Sequence, residues 1–135
     1  MAGDIMHYQM AHTPKIGNAN ILVDTEALSN VLAVRSANHQ IYVQKITLSI
    51  TTHFATAAVV FDDDSTAGPP VAAHTDVAAG AGVPSVVHWD FGPVGRPLGV
   101  GGNLDITVTN PGIIGIVHIE AYERLVGPVA VATTN

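Results

Sequence analysis

The sequence predicts an all-β chain: a single β-sandwich of jelly-roll type, made of about eight short antiparallel strands with extended terminal arms. Three observations predict it. Apolar and polar residues alternate in several segments, the period of two that puts every second side chain on one face of a sheet. Gly, Pro, Asn and Asp punctuate those segments, as turns between short strands require. Helical spacing is scarce, so no helices alternate with strands and a doubly wound fold is excluded.

Taken in order, residues 1–20 are polar, rich in His and without sustained alternation. They are set apart as an N-terminal arm or edge segment, with weak strand signals at Tyr8 and, just beyond, at Ile21-Val23. Thr25 to Val34 is the one helical candidate, with Thr25 as cap and Glu26, Ala27, Leu28 and Leu32 in a short turn or two. Gln40 to His53 is the clearest strand. Ile46, Leu48 and Ile50 alternate with Lys45, Thr47, Ser49 and Thr51. Ile41 and Val43 stand in the opposite phase, which predicts a β-bulge near Gln44-Lys45.

Ala57 to Phe61 is the next strand, ended by Asp62-Asp63-Asp64 and the irregular run Ser65 to Pro70. Val71 to Val77 is a weaker strand, followed by a Gly- and Ala-rich stretch. Ser85 to Phe91 puts Val87, Trp89 and Phe91 on one face and His88 and Asp90 on the other. After the turn Gly92 to Pro97, Leu104, Ile106 and Val108 alternate with Asp105, Thr107 and Thr109. Asn110-Pro111-Gly112 reads as a turn in which Pro sets the first central φ and Gly accepts a positive second one. The last strand runs from Ile113 or Ile114 to Arg124. Residues 21–125 are thus the sandwich core, and 126–135 an uncharged extended tail. Either terminal segment could add to a neighbour's sheet as an arm.

Composition narrows the functions. Apolar residues make up 47% of the chain and charged ones 12%, about half the usual charged share. A surface so poor in charge is most simply explained by contact with other protein. The five fixed cations, Lys15, Arg35, Lys45, Arg96 and Arg124, are scattered singly within a net charge of −6. No basic stripe forms, so nucleic acid is not expected as a partner. Apolar runs are broken well before the length of a membrane span, and the start shows no signal-peptide pattern. The chain has no cysteine, hence no disulfide, thiolate metal site or thiol nucleophile. That fits a reducing cytosol, or a particle assembled in a cell and later released.

The candidate for catalysis is metal chemistry. His88 and Asp90 share one strand face, and His118 lies further on with Glu120 two residues beyond. Two His and one carboxylate make the facial triad of non-haem iron oxygenases. Against this, Val87, Trp89 and Phe91 form the better core face, so His88 and Asp90 turn to solvent or a partner. No catalytic residue, cofactor or metal is therefore assigned; His88, Asp90 and His118 are the best candidates for a metal. Asp62-Asp63-Asp64-Ser65 could offer oxygen ligands to Ca²⁺, although consecutive residues at a strand end do not converge, so a solvated turn is preferred. Seven histidines (His7, His12, His39, His53, His74, His88, His118) could tie assembly to pH, or be ordinary half-buried polar residues. Gly99-Val100-Gly101-Gly102 lacks a Walker lysine and a following helix, so it is a turn. Trp89 and Phe91 could stack on a sugar, but alternate as core residues do.

From Ile41 onward the order of features resembles small virion proteins of tailed phages, the head decoration (cement) proteins above all. The pattern is Ile41-Tyr42-Val43-Gln44-Lys45-Ile46, then Trp89-Asp90-Phe91-Gly92-Pro93, Leu98 with Gly101-Gly102-Asn103-Leu104, and His118-Ile119-Glu120-Ala121-Tyr122. It covers roughly the last two-thirds of the chain and is a pattern of strands and turns. The resemblance implies a jelly-roll-like sandwich, often trimeric, seated on major capsid protein and clamping neighbouring capsomers against internal DNA pressure. The expected function is thus a non-enzymatic capsid decoration protein: a homotrimer on the outer surface of the virion, assembled in the host cytoplasm. A tail, baseplate or fibre module and a glycan-binding sandwich are the alternatives.

Overall fold

A computed structural model describes residues 12–76 and 85–126. Among them are nine strands: β1 (Thr13–Ile21), β2 (Ala27–Leu32), β3 (His39–His53), β4 (Ala57–Asp63), β5 (Ala72–Asp76), β6 (Ser85–Asp90), β7 (Arg96–Pro97), β8 (Leu104–Thr109) and β9 (Ile113–Leu125). They form two antiparallel sheets. The first has the order β1-β9-β3-β6, with the two-residue β7 also on β3; the second has the order β2-β8-β4-β5.

The pairing explains the architecture. Leaving β7 aside, the first strand pairs with the last (β1 with β9), the second with the second-last (β2 with β8), then β3 with β6 and β4 with β5. The chain is one long antiparallel ribbon folded back at β4–β5. The ribbon rolls into two sheets, one completed by β9 against β3 and the other by β8 against β4. This is the jelly roll. Its core is the alternate residues of both inner faces, among them Ile41, Ile46, Leu48, Phe61, Ile106, Val117 and Ile119, all fully buried.

The phase change along β3 is a bulge. Val43 pairs with Ala121 and Lys45 with Glu120, leaving Gln44 without an opposite number on β9. One extra residue lets Val43 and Ile46 both face inward despite their odd spacing. The bulge is used: the Gln44 carbonyl accepts the Phe91 N–H at 2.8 Å, and Gln44 Nε2 donates to the Pro93 carbonyl at 2.7 Å. Here the chain leaves β6, turns through Gly92 and Gly95, both at φ 81°, and rejoins the same edge of β3 as β7.

Two local expectations are corrected, and a third is extended. Thr25–Val34 is no helix: Thr25 closes a turn, its Oγ1 accepting the Leu22 N–H at 2.9 Å, and residues 27–32 form β2. Residues four apart share a face in a strand as in a helix, so the Leu28–Leu32 spacing was ambiguous. Asn30, at φ 56°, breaks any helix there and shifts the register against β8. Ile21-Val23 is no separate strand; Ile21 ends β1, while Leu22 and Val23 are exposed beyond it. At residues 110–112 Gly112 does take a positive φ, 157°, and Asn110 adds a left-handed residue at φ 55°, which Asn tolerates. Gly112 also serves close approach: its carbonyl accepts the N–H groups of Phe54 and Ala55, and a Cβ there would lie 2.7 Å from the Ala55 Cβ.

β1 begins at Thr13, inside the segment that the sequence set apart as arm or edge. It is an edge strand, paired with β9 along its whole length. Its inner face carries Lys15, Gly17 and Ala19, with a large apolar residue only at its end, Ile21, because it crosses close to β2. A Cβ on Gly17 would lie 2.7 Å from the Val31 carbonyl oxygen and 2.8 Å from Leu32. Lys15 instead reaches Glu123, which is only 2% exposed; Lys15 Nζ is 3.4 Å from one carboxylate oxygen, and the Arg35 N–H donates to the other at 2.6 Å. The weak strand signal at Tyr8, the remainder of the N-terminal segment and the tail beyond residue 126 lie outside the described residues. Among the described residues no helix is long and apolar enough to cross a membrane.

Candidate functional site

The outward face of the first sheet is built in rows, because strand register sets directly opposed residues side by side. Nearest the β1–β2 and β3–β4 turns, one row runs Asn20, Ile116, Ser49, Val86; the next runs Asn18, His118, Thr47, His88; the third runs Ile16, Glu120, Lys45, Asp90. The fourth is Pro14, Tyr122, Tyr42, Pro97. Polarity is therefore graded along the strands: apolar and uncharged, then imidazole and hydroxyl, then charged, then aromatic.

Two of the metal candidates share the second row, with β3 between them. His88 Nδ1 is hydrogen-bonded to Thr47 Oγ1 at 3.1 Å, and His118 Nδ1 to Asn18 Oδ1 at 2.9 Å. Two strand spacings separate their backbones by about 10 Å, each ring leans on a neighbour on its other side or between them rather than on the second histidine, and among the described residues no three His, Cys, Asp or Glu side chains group as a metal site would need. Asp90 lies in the third row, and its Oδ1 accepts the Gly92 N–H at 2.8 Å. The structure places His88, Asp90 and His118 on one face but does not converge them.

The acidic turn is committed internally. Asp63 Oδ1 accepts the Ser65 N–H and hydroxyl, at 2.9 and 2.6 Å, and Oδ2 accepts the Gly99 N–H at 2.7 Å. Asp64 accepts the Asn103 N–H and Nδ2 at 2.8 and 3.0 Å. The Gly99–Gly102 turn lies against them; a Cβ on Gly102 would meet Asp63 Oδ1 at 2.5 Å. These carboxylates pin one turn to another. Trp89 faces inward, its ring edge-on to Phe61 at 5.5 Å and to His74 at 6.5 Å, so it belongs to the core.

Sequence reasoning missed the aromatic row. Tyr42 and Tyr122 stack at 4.9 Å and 2° from parallel, with the Arg124 guanidinium 5.0 Å from the Tyr42 ring and the His12 ring 5.5 Å from Tyr122. The tyrosines are remote in sequence, and only the β3–β9 register brings them together.

The two sheets differ in what they show outward. Ile16, Ile116 and Val86 are each more than half exposed on the first sheet, whereas among the described residues no large apolar side chain of the second sheet's strands is exposed. One row of the second sheet is Ala27, Thr107, Val60, Ala73, and a neighbouring pair is Asp62 and Asp105. Charge divides likewise. The first sheet's strands hold Lys15, Lys45, Arg96 and Arg124 with Asp90, Glu120 and Glu123; the second sheet's strands hold aspartates such as Asp62, Asp63 and Asp105 and no Lys or Arg.

A scan of protein-family models and a search of curated proteins find no match to this chain. Solved structures do match. A chain of the acidic stable capsid structure of Helicobacter pylori bacteriophage KHP30 superposes with a TM-score of 0.51 at 11% identity, covering 82% of this chain and 87% of that one. A chain of the cyanophage Pam1 capsid asymmetric unit gives 0.41 at 12% identity, covering 84% of each. One of tomato aspermy virus gives 0.44 at 12% identity, covering 93% of this chain and 82% of that one. The strand order and the likeness to the KHP30 capsid chain lead to one conclusion: this chain is a jelly-roll β-sandwich.

Proposed function

We propose that the chain is a structural protein of a virion, and specifically a capsid decoration protein that binds the major capsid protein lattice from outside as a homotrimer and stabilises the head. The observation that carries this reading is the jelly roll shared along 82% of the chain with a phage capsid structure. The motif resemblance from Ile41 to Tyr122 supports the decoration role, and the charge-poor surface supports burial against protein. Such a role needs no pocket. Many copies engage a repeating lattice, and linking three weak contacts in one trimer raises avidity by roughly 10²–10⁴ without any stronger single contact.

The test combines two measurements on the purified protein. Light scattering gives a mass of three chains, and adding the protein to capsids prepared without it raises their disruption temperature. A monomer that leaves capsid disruption unchanged overturns the proposal. Binding to isolated tails, with none to heads, moves the protein to a tail or baseplate module.

A further inference from the structure

Resting on the decoration reading, we infer that the sandwich is oriented: the outward face of β1-β9-β3-β6 seats on the capsid shell, and the outward face of β2-β8-β4-β5 points to solvent.

Among the described strands, exposed large apolar side chains lie on the first sheet alone. Ile116 and Val86 flank Ser49 in one uncharged row, and the next row is also free of fixed charge. Leu22 extends this region past the end of β1. The charged row, Glu120, Lys45 and Asp90, follows, with the one cation between two carboxylates. The uncharged apolar row lies at one end of the face and the charged row borders it on one side, and an apolar, charge-depleted area with a polar margin suits contact with another protein. The partner it fits is a folded protein surface with its own uncharged apolar patch, not a polyanion.

Charge favours the same orientation. The opposite sheet presents Ala and Thr with the directly paired Asp62 and Asp105, and no Lys or Arg in its strands. Net negative charge on an outer layer keeps particles apart. Burying that layer against protein would desolvate two carboxylates with no cation from their own sheet.

The size of the face suits a modest contact. Strands of six to fifteen residues in the first sheet at about 3.3 Å per residue and 4.8 Å spacing give a face of roughly 700 Å². A stable contact uses about 800 Å² per partner, so one face supplies one modest contact and the trimer multiplies it.

The experiment is co-sedimentation of the full chain with capsids prepared without it, with chain mass checked by light scattering and folding by circular dichroism. Ile116→Glu and Val86→Glu alter the first face; Thr107→Glu and Ala73→Glu alter the second; Ile116→Val is the conservative control. The expected result is at least a tenfold weaker Kd for the first pair. The second pair and I116V stay within threefold of the unaltered chain. Loss of binding by the second pair alone reverses the orientation and overturns the inference while leaving the decoration reading intact. If the first pair instead yields folded monomers that bind capsids as one chain of the trimer does, the face is a contact between copies and the inference is overturned. An unaltered chain that does not bind capsids removes the decoration reading, and the inference with it.

Discussion

Tyr42 on β3 and Tyr122 on β9 stand directly opposite each other, and their rings stack with centroids 4.9 Å apart and planes within 2°. The pair straddles the β3–β9 seam that turns a folded ribbon into a closed sheet. Each hydroxyl is anchored as well: Tyr122 donates to the Val94 carbonyl at 2.7 Å, and Tyr42 to Gln40 Oε1 at 3.1 Å.

Tyr122→Ala is expected to lower stability by about 1–3 kcal/mol, and a double-mutant cycle with Tyr42→Ala to return a coupling of about 0.5–1.5 kcal/mol. Urea denaturation of the four proteins measures both. Strict additivity would show that the rings touch without stabilising one another.

Glu123 is a buried carboxylate held by Lys15 and the Arg35 N–H. Glu123→Ala leaves that N–H without its acceptor and Lys15 without its counter-charge, a loss of about 2–3 kcal/mol. Glu123→Gln keeps an acceptor and costs about half as much. Denaturation midpoints in the order unaltered, Gln, Ala are the expected outcome. Equal midpoints for all three contradict this role.

The acidic turn predicts a pairing of results. Asp63→Ala removes the acceptor of three hydrogen bonds, two from Ser65 within the turn and one from the Gly99 N–H of the neighbouring turn, and lowers stability by about 1–3 kcal/mol. Calcium or a chelator leaves the melting temperature of the unaltered protein where it was, because the Asp63 and Asp64 carboxylates are aimed at protein donors rather than at a common point. Differential scanning calorimetry checks both, and a rise of several degrees with calcium would contradict the second.

Gly17→Ala places a methyl 2.7 Å from a backbone carbonyl that is itself held in β2. Separating β1 from β2 to admit it costs about 1–3 kcal/mol. A melting temperature equal to that of the unaltered protein would show that the two strands are not held so closely.

Much of this fold is legible in the residues. β3, β6, β8 and β9 alternate because one face is core, and the bulge at Gln44 shows as a slipped phase between Val43 and Ile46. The rest is hidden for physical reasons. β1 lacks alternation because its inner positions go to an ion pair and a close crossing, at Lys15 and Gly17. β2 imitates a helix because a four-residue leucine spacing satisfies both geometries. The surface rows are illegible, since which residues become neighbours depends on register between remote strands. His88 and Asp90 do share a face as their spacing requires, but that His118 stands one strand removed from His88, behind Thr47, follows only from β9 pairing with β3.

Electron cryomicroscopy of capsids decorated with the purified protein tests the central claim most directly. Added density is expected outside the shell, fitted by three jelly rolls, with Ile116 and Val86 towards the capsid and Asp62 and Asp105 towards solvent. A shell with no added density, although the protein is folded and in excess, would contradict it.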